Sequence, residues 1–479
     1  MKRPNILYIH SHDTGRYVQP YGHAIPTPNL QRLAEQGVLF RQAFSAAPTC
    51  SPSRAGLLTG QCAHSSGMLG LAHRGFSLRD YSQHLVHTLR EAGYYSALVG
   101  IQHIAQDPGV IGYDRVVQPV NNYVKGVRGT VCTVENVAPA AVDFLNSGPP
   151  QPFFLSVGYY ETHTEFHPPG PEEDPRYTLP AHALPDTPET RRDMAAFKAT
   201  ARVLDQGIGA VLDALDANGL ADDTLVICTT DHGIGLPGMK CHLTDHGIGV
   251  MLIMRGPGGS ALRQAQGGLL RQAQGGLLRQ AQGGLLRQAQ GEPSGFSGGR
   301  VCDGMVSHVD IFPTLCDILE IAPPSWLQGK SMMPLIRGEV EQINEEVFAE
   351  VTYHAAYEPQ RAVRTRRWKY IRRYDDRHRP VLSNCDDGPS KEAWLSHGWR
   401  ERYVPPEELY DLIFDPNESH NLAGDGAFAE VLDQMRGRLD RWMQATDDPL
   451  LRGAVPAPSG AELNDPDGTS HREPAWIVE

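Results

Sequence analysis

The sequence lacks the features of several large classes of protein. Among its 479 residues there is no run of about twenty apolar side chains, so no membrane-spanning segment is predicted. The eight cysteines form no CxxC pair, which argues against a disulfide framework and against a zinc ribbon. Basic residues are also outnumbered by acidic ones, 43 to 56. The formal net charge of −13 argues against nucleic acid and anionic membranes as partners, because both require a basic surface.

The N-terminal segment, MKRPNILYIHS, leads directly into a strand-like run. It has neither the apolar region nor the cleavage site of a signal peptide. We therefore expect a cytoplasmic enzyme, of bacterial origin, that interacts with neither nucleic acid nor membrane.

Short apolar runs alternate with helical patterns along the first 340 residues and predict an α/β fold. The runs are rich in Val, Ile, Leu and Tyr and lack strict alternation, as expected for strands buried on both faces of a mostly parallel sheet. The predicted architecture is a large doubly wound sheet sandwiched by helices, in a domain at 1–340. Predicted strands occupy 5–10, 95–100, 152–160, 224–229 and 250–254, and predicted helices occupy 28–36, 78–92, 188–218 and 307–321.

The sequence pattern changes after about residue 340 and predicts a smaller domain at 341–479. RAVRTRRWKYIRRY, at 361–374, alternates like an exposed antiparallel strand with a basic face, and FAEVLDQMRGRLDRWMQAT fits an amphipathic helix. These patterns predict an α+β domain with an antiparallel sheet. A Pro/Gly-rich, loosely ordered tail is expected from about residue 453.

An octapeptide, RQAQGGLL, occurs at 263–270, 271–278 and 279–286 and begins again at Arg287. Eight residues are too few for a known solenoid unit. We interpret 263–290 as an expanded repeat in a surface loop, because lengthening a loop costs little free energy. A dedicated interaction arm is the alternative.

Side chains that can bind a metal follow two of the predicted strands. His12 and Asp13 end the first strand, and Asp231 and His232 follow DTLVICT. Ligands of doubly wound sheets lie beyond the carboxyl ends of the strands, so these side chains could form a divalent cation site. The hexapeptide TDHGIG occurs a second time at 244–249, but that copy precedes its strand, which favours the first copy as the metal pair. The alternative for any single Asp-His pair is a turn.

Cys50 lies in PTCSPSRAGLLTG, immediately before a helical pattern and four residues before Arg54. The positive field at a helix N-terminus favours anions and the thiolate form of a cysteine. The segment therefore indicates a reactive thiol, with a buried structural cysteine as the alternative.

The pattern C-x-P-S-R followed by LTG resembles the signature of the sulfatase family, whose members have an alkaline-phosphatase-like fold. Further segments, among them HSSGMLGLAHR, resemble members of the family that hydrolyse N-sulfated sugars. The resemblance covers most of the chain and includes NILYIHSHDTG, TPNLQRLAEQGVLFRQAFSAAPTCSPSRAGLLTG, ALVGIQH, GYYETHTEFHPP, TTDHG and ELYDLIFDPNESHNLA.

The resemblance implies that a formylglycine-generating, sulfatase-maturing enzyme converts Cys50 to formylglycine. The hydrated aldehyde carries two hydroxyl groups. One attacks sulfur and displaces the amine of a sulfamate or the alcohol of a sulfate ester, and the second then loses its proton, which re-forms the aldehyde and expels sulfate. A divalent metal, usually Ca²⁺ in the family, polarises the attacking hydroxyl and neutralises the sulfate oxygens. The implied metal ligands are Asp13, Asp231, His232 and the residue at position 50, with His12 as a further candidate.

The resemblance also implies roles for polar residues around the nucleophile. Arg54 would hold the formylglycine and screen its charge, and His103 would assist deprotonation of the second hydroxyl. His163 and Lys240 would contact the sulfate or the leaving atom. His64 is predicted either to contact substrate at the pocket edge or simply to pack.

Two positions depart from the family pattern. His12 replaces a carboxylate, and more imidazole among the ligands would shift the preference from Ca²⁺ towards Mn²⁺ or Zn²⁺. Ile101 replaces a Lys and removes a cation from the expected sulfate pocket, which a protonated His12 could offset.

The predicted function is hydrolysis of a sulfate ester or sulfamate on a small sulfated sugar. One alternative is a phosphonate or phosphate ester hydrolase of the same superfamily. Another is a sulfated-glycan binder with weak or no catalysis, which the departures at His12 and Ile101 suggest and the intact CSPSR argues against.

Peptide mass spectrometry tests the implied modification. In protein purified from its native host, the tryptic peptide 42–54 is expected to have the mass of an aldehyde at position 50 in place of a thiol. An unmodified cysteine, in a host that matures other sulfatases, would contradict the mechanism and favour a thiol-based hydrolase or a binder.

Overall fold

The computed structural model describes residues 3–120, 132–258, 295–296 and 298–479, so the repeat predicted as a surface loop at 263–290 lies outside the described residues. The strands are β1 (Asn5–Ser11), β2 (Val38–Phe40), β3 (Ala43–Phe44), β4 (Tyr95–Gly100), β5 (Arg115–Val120), β6 (Phe153–Gly158), β7 (Thr224–Thr230), β8 (Leu252–Arg255), β9 (Arg300–Cys302), β10 (Val306–Ser307), β11 (Glu346–Tyr353), β12 (Tyr357–Thr365), β13 (Trp368–Arg373), β14 (Glu407–Asp411), β15 (Glu462–Asn464) and β16 (Ala475–Ile477). The α-helices are α1 (Pro28–Gln36), α2 (Cys50–Thr59), α3 (Ala63–Ser66), α4 (Leu85–Glu91), α5 (Val134–Asn146), α6 (Pro188–Ala217), α7 (Asp245–Ile248), α8 (Ile311–Ile318), α9 (Met333–Arg337), α10 (Pro389–Ser396) and α11 (Ala429–Ala445).

An eight-stranded sheet forms the centre of the molecule, in the order β5-β4-β6-β1-β7-β8-β2-β9. The pairings are parallel except that β8 runs antiparallel to both of its neighbours. Along β1, Ile6 and Tyr8 pack into one core while Leu7 and Ile9 pack into the other. Both faces are buried, which explains why the predicted strands lack alternation. The predicted mostly parallel α/β sandwich is confirmed.

Helices cover both faces of this sheet. The core with Leu7 and Ile9 takes in α1, α5 and α6, and the core with Ile6 and Tyr8 takes in α2, α4 and α8. The long helix α6 begins as predicted, with the side chain of Thr187 accepting a hydrogen bond at its N-terminus. The helices predicted at 78–92 and 307–321 are shorter in the structure, because 3₁₀ turns occupy their first residues. No helix in the described part of the chain is long and apolar enough to cross a membrane.

A second, antiparallel sheet follows in the order β11-β12-β13-β14. One face packs against Phe44, Leu243 and Ile248 near the large sheet, and the other packs against the predicted amphipathic helix, α11. The prediction of a single exposed basic strand at 361–374 is wrong. That segment contains β12 and β13 joined by a tight turn, and the side chains of Arg361 and Lys369 are fully buried.

The C-terminal segment differs from the predicted loose tail. Its strands β15 and β16 pair with each other, and Ala461 and Leu463 join the core of the large sheet. The backbone N–H of Asn464 donates to the carbonyl of Ala355 at 2.8 Å. Buried apolar contacts and hydrogen bonds therefore hold this segment against the rest of the molecule.

The second TDHGIG copy ties the two sheets together. Asp245, at the start of α7, accepts from Lys369 Nζ at 2.6 Å and pairs with Arg364 at 2.9 Å. Lys369 also contacts Glu418 at 3.1 Å. The two cations come from the C-terminal sheet, so burial of these charges depends on the contact between the sheets.

Asp245→Asn is therefore expected to destabilise the fold by about 3–5 kcal/mol, because it leaves buried cations short of a counter-charge. Urea unfolding measures this loss. Asp303→Asn is the matched control, since Asp303 forms an ion pair with Arg41 in which both side chains are more than half exposed. Equal losses in the two variants would show that the Asp245 contacts do not stabilise the fold.

Candidate active site

Four neighbouring parallel strands, β4, β6, β1 and β7, end at one edge of the large sheet. Because they run in the same direction, the residues that follow them are brought together there. His103 follows β4, His163 follows β6, Asp13 follows β1, and Asp231 follows β7. The site thus lies at the carboxyl ends of the strands, where the sequence pattern predicted it.

The predicted metal ligands form a buried cluster. His12, Asp13, Cys50 and Asp231 each offer a ligand atom, and these atoms all lie within 4.8 Å of one another. His12 Nδ1 is 2.8 Å from Asp13 Oδ1 and 3.3 Å from Asp231 Oδ2. His232 Nε2 is 3.4 Å from Asp13 Oδ1. Carboxylate and imidazole donors at this spacing fit a divalent cation.

Two cations accompany the buried carboxylates. Lys240 Nζ donates to Asp13 Oδ2 at 3.0 Å, and Arg54 Nη2 donates to Asp231 Oδ2 at 2.9 Å. Burial alone would raise the pKa of Asp13, but Lys240 and the nearby imidazoles hold that pKa well below its usual range. Burial also raises the pKa of Asp231. The pKa is nevertheless lowered overall, because electrostatic interactions with the neighbours His232, His12 and Arg54 outweigh the effect of burial. Both carboxylates are therefore available as anionic ligands.

Cys50 is the first residue of α2, and its side chain is almost fully buried. Its Sγ lies 3.4 Å from His232 Nε2. Burial raises the pKa of the thiol well above its ordinary value. Lys240 lowers this pKa, whereas the carboxylates of Asp13 and Asp231 raise it further. The thiolate, which is the reactive form of a cysteine, is therefore disfavoured here.

A chain of imidazoles runs away from the carboxylates. His12 Nε2 is 3.3 Å from His103 Nδ1, and His103 Nε2 is 2.9 Å from His73 Nδ1. Asp13 and His103 both have positive φ, at 53° and 59°, a conformation that residues other than glycine rarely adopt. Burial is the main reason that the pKa of His12 falls to about 4, so a protonated His12 that offsets Ile101 is not supported.

A cavity of about 230 Å³ opens onto this cluster. Ile101 lies in its wall, so an apolar side chain stands where the family pattern has Lys. A cation does adjoin His163, since Lys240 Nζ lies 3.2 Å from His163 Nε2. The lining residues are His12, Cys50, Leu71, His73, Arg74, Ile101, His103, Tyr160, His163, His354, Ala355, Asp386 and His471.

Several lining residues were not predicted from the sequence. Asp386 accepts from Lys240 Nζ at 3.0 Å and from Thr164 Oγ1 at 3.2 Å. His354 follows β11, and His471 belongs to the C-terminal segment. All three reach the cavity through tertiary contacts from a different sheet or from the chain end, and no local pattern marks them. His73 lies in HSSGMLGLAHR, a segment that resembles the family, but the resemblance implies no role for this residue.

Of the two roles predicted for His64, the structure shows packing, and His64 is not among the residues that line this cavity. Its Nδ1 is 2.9 Å from Glu350 Oε2, and its ring packs edge-on against Trp442. Burial alone would lower the pKa of His64, but the carboxylate of Glu350 raises it to about 10. The charged imidazole thus belongs to a buried ion network, with Arg361 3.2 Å from Glu350. This network fastens α3 to β11.

The second TDHGIG copy also stays outside the cavity. Asp245 is engaged by Lys369 and Arg364, and His246 Nδ1 contacts the Tyr17 hydroxyl at 2.9 Å. Neither residue contributes to the cluster around Cys50. The structure thus places the first copy, not the second, beside the candidate nucleophile.

The chain matches known protein families over most of its length. The model of the Sulfatase family matches residues 4–321, and a model described as N-sulphoglucosamine sulphohydrolase, C-terminal, matches residues 291–394. Human N-sulphoglucosamine sulphohydrolase is 29% identical, over 93% of this chain and 91% of that protein.

Solved structures share the fold at lower identity. A protein in complex with its substrate D-glucosamine-2-N,6-O-disulfate has a TM-score of 0.66 at 17% identity, covering 93% of this chain and 99% of that one. The phosphonate monoester hydrolase of Agrobacterium radiobacter has a TM-score of 0.65 at 21% identity, covering 94% and 97%.

Metal analysis tests the ligand set. Asp231→Asn is expected to weaken divalent-metal binding by at least the roughly 10–100-fold that loss of a supporting residue costs, because a buried anionic donor is removed. Elemental analysis of the purified protein, with calorimetric titration of Ca²⁺, Mn²⁺ and Zn²⁺, measures the change.

The matched control is His64→Asn, because Cys62, His64 and Glu350 form a second buried group of potential ligands. This variant is expected to retain the metal. Loss of metal in His64→Asn with retention in Asp231→Asn would move the site to that second group.

Proposed function

The chain belongs to the sulfatase family, and from that premise we propose that it hydrolyses a sulfate ester or a sulfamate on a sulfated sugar. The proposal includes a formylglycine made from Cys50 by a sulfatase-maturing enzyme, and a bound divalent cation. The observation that carries it is the position of Cys50. The side chain lies at the N-terminus of α2, lines the cavity and adjoins the buried carboxylates of Asp13 and Asp231.

The residues present fit both groups. Asp13, Asp231 and His232, with His12 as a further donor, would hold the cation, and position 50 lies within reach of the same site. When present, the cation supplies positive charge beside the sulfate oxygens, and formylglycine supplies a hydrated aldehyde as the nucleophilic group. We propose Ca²⁺, with Mn²⁺ or Zn²⁺ as alternatives because His12 adds an imidazole.

Other residues of the chain bind and orient the sulfate group. Lys240 and His163 lie together, with Nζ 3.2 Å from Nε2, and present donors to a sulfate oxygen or to the leaving atom. Arg54 donates to Asp231 and to the carbonyl of Ser11, which fixes the guanidinium beside the carboxylate cluster.

His103 is the candidate for proton transfer. Its Nδ1 lies 3.3 Å from His12 Nε2 and its Nε2 lies 2.9 Å from His73 Nδ1, so both ring nitrogens adjoin imidazoles through which a proton could pass. Burial, together with His73 and His12, lowers the pKa of His103 well below its ordinary value, which keeps the ring neutral and weakens it as a base.

A sugar substrate is supported by the relatives and by the size of the cavity. The human relative is named for N-sulphoglucosamine, and a structural neighbour was solved with D-glucosamine-2-N,6-O-disulfate. The cavity of about 230 Å³ is smaller than the roughly 300–1,000 Å³ that encloses drug-sized ligands, and suits a single sugar unit.

A phosphonate monoester hydrolase is the second candidate. The observation that favours it is the similar fold of the Agrobacterium enzyme, together with the Asp231-His232 pair beside the candidate nucleophile. A third possibility is a glycan binder without turnover. The intact CSPSR segment argues against it, because a binder does not need a modifiable cysteine.

A substrate panel tests the proposal. The matured enzyme is expected to release sulfate from N-sulphoglucosamine or D-glucosamine-2-N,6-O-disulfate faster than it cleaves a phosphonate monoester. Ion chromatography measures the sulfate. Cys50→Ala should lower turnover by at least about a thousandfold, because removal of a covalent nucleophile costs roughly 10⁴–10⁶ in other hydrolases.

The matched control is Cys302→Ala, which changes another buried cysteine, in β9, and is expected to retain activity. Faster cleavage of the phosphonate would support the second candidate. Binding of the sulfated sugars without turnover by the matured enzyme would support the glycan binder.

A further inference from the structure

The cavity has three sources of side chains. The ends of β1, β4 and β6, together with α2, supply the candidate catalytic and metal-binding groups. Segment 71–74 supplies Leu71, His73 and Arg74, and three C-terminal segments supply His354, Ala355, Asp386 and His471. His354 and His471 have no part in the proposed metal binding or proton transfer, and Asp386 is linked to that machinery only through Lys240, whose Nζ lies 3.0 Å from it.

The backbone that carries the two histidines is firmly held. Arg74 Nη1 donates to Asn464 Oδ1 at 2.8 Å, and Arg74 Nη2 donates to the carbonyl of His471 at 3.4 Å. The side chain of Asn384 accepts from the N–H groups of Ala355 and Ala356 at 2.9 and 2.8 Å, next to His354. These bonds fix both imidazoles without involving their rings.

Each ring has a buried nitrogen without a hydrogen bond. Within the described ranges, Nδ1 of His354 and Nδ1 of His471 are buried and have no hydrogen-bond partner. The side chain of His354 is only 5% exposed. Buried polar groups without a hydrogen bond cost free energy and are uncommon in folded proteins. A bound ligand would supply the missing partners.

The chemistry of these residues suits hydroxyl groups better than a second sulfate. Burial lowers the pKa of His354 well below its ordinary value, and Lys240 adds to the effect, so the ring is neutral. A neutral imidazole both donates and accepts a hydrogen bond, as a hydroxyl does, whereas sulfate oxygens only accept. Asp386 adds a carboxylate, held by Lys240 at 3.0 Å, whose oxygens accept hydrogen bonds from a hydroxyl but not from a sulfate.

We propose that His354, Asp386 and His471 form a hydroxyl-recognition subsite that positions the sugar ring and determines substrate specificity. The inference deepens the proposed function and rests on it for the identity of the ligand. His354 and His471 are specificity residues that act on the ring of the substrate, and the bond to be cleaved lies with the groups around Cys50.

Two substrates separate positioning from chemistry. N-sulphoglucosamine carries ring hydroxyls, and 4-nitrophenyl sulfate carries a scissile sulfate but no hydroxyl. His354→Phe and His471→Phe are expected to lower kcat/KM for the sugar about tenfold or more, and to leave the aryl sulfate within about threefold of the unaltered enzyme. His354→Asn, which keeps a donor and an acceptor, should retain more sugar activity than His354→Phe.

His420→Ala changes an exposed histidine and is the matched control. Unchanged kinetics with the sugar in both Phe variants would overturn the subsite. An equal loss with both substrates would also overturn it, because that result indicates general damage to the site.

Binding keeps this inference separate from the proposed function. In a Cys50→Ala background, calorimetry with N-sulphoglucosamine and Ca²⁺ is expected to show roughly tenfold weaker affinity for each Phe variant. If the sugars bind in this way but the matured enzyme does not cleave them, the proposed function fails and the subsite stands. Affinity that is unaffected by either variant, or no binding of any sulfated sugar to the Cys50→Ala chain, would overturn the subsite.

Discussion

The organisation of the site depends on two buried carboxylates that lie close together. Asp13 and Asp231 come from adjacent strands and have less than 4% of their surface exposed. Burying one ionised carboxylate is costly, and burying two side by side adds their mutual repulsion. Arg54 and Lys240 offset part of this cost by contacting one carboxylate each. A divalent cation between the two carboxylates would offset the remainder.

The pairing of neighbouring strands and their backbone hydrogen bonds fix the positions of these carboxylates. Residue 13 reaches residue 231 because β1 and β7 are parallel neighbours in register from Asn5 to Ser11. The backbone N–H of Asp13 donates to Asp231 Oδ1 at 2.8 Å, which fixes the carboxylate from the neighbouring strand. The left-handed backbone at Asp13 is maintained by these surroundings, as is common at functional sites.

The sequence predicts the part of the site that strand order determines. A buried apolar run followed by Asp or His is a local signal, and parallel strands place such signals at one edge. Asp386 gives no such signal, because its link to the site is Lys240, 146 residues away in the chain. Contacts of this kind follow only from the packed tertiary structure.

Long-range contacts that the local sequence does not reveal also explain the wrong prediction at 361–374. Alternating basic residues are usually solvated, and the local pattern cannot show partners elsewhere in the chain. Arg361 is buried because Asp448, 87 residues away, accepts from its Nε at 2.6 Å. Lys369 is buried because Asp245, 124 residues away, lies at 2.6 Å. Charge that appears exposed in the sequence thus holds the two sheets together.

The cavity residues from the large sheet and those from the C-terminal segments differ in how strongly their surroundings constrain them. Charge balance constrains the groups at the ends of the large sheet, since changing Lys240 removes the cation that contacts two buried carboxylates, Asp13 and Asp386. The imidazoles of His354 and His471 form no ion pair with these groups, and within the described residues Nδ1 of each has no hydrogen-bond partner. If these rings form the proposed subsite, substitution there would alter what the cavity recognises while the charge balance around Cys50 is kept. A fixed set of reacting groups can therefore serve different sugars through changes confined to the C-terminal segments.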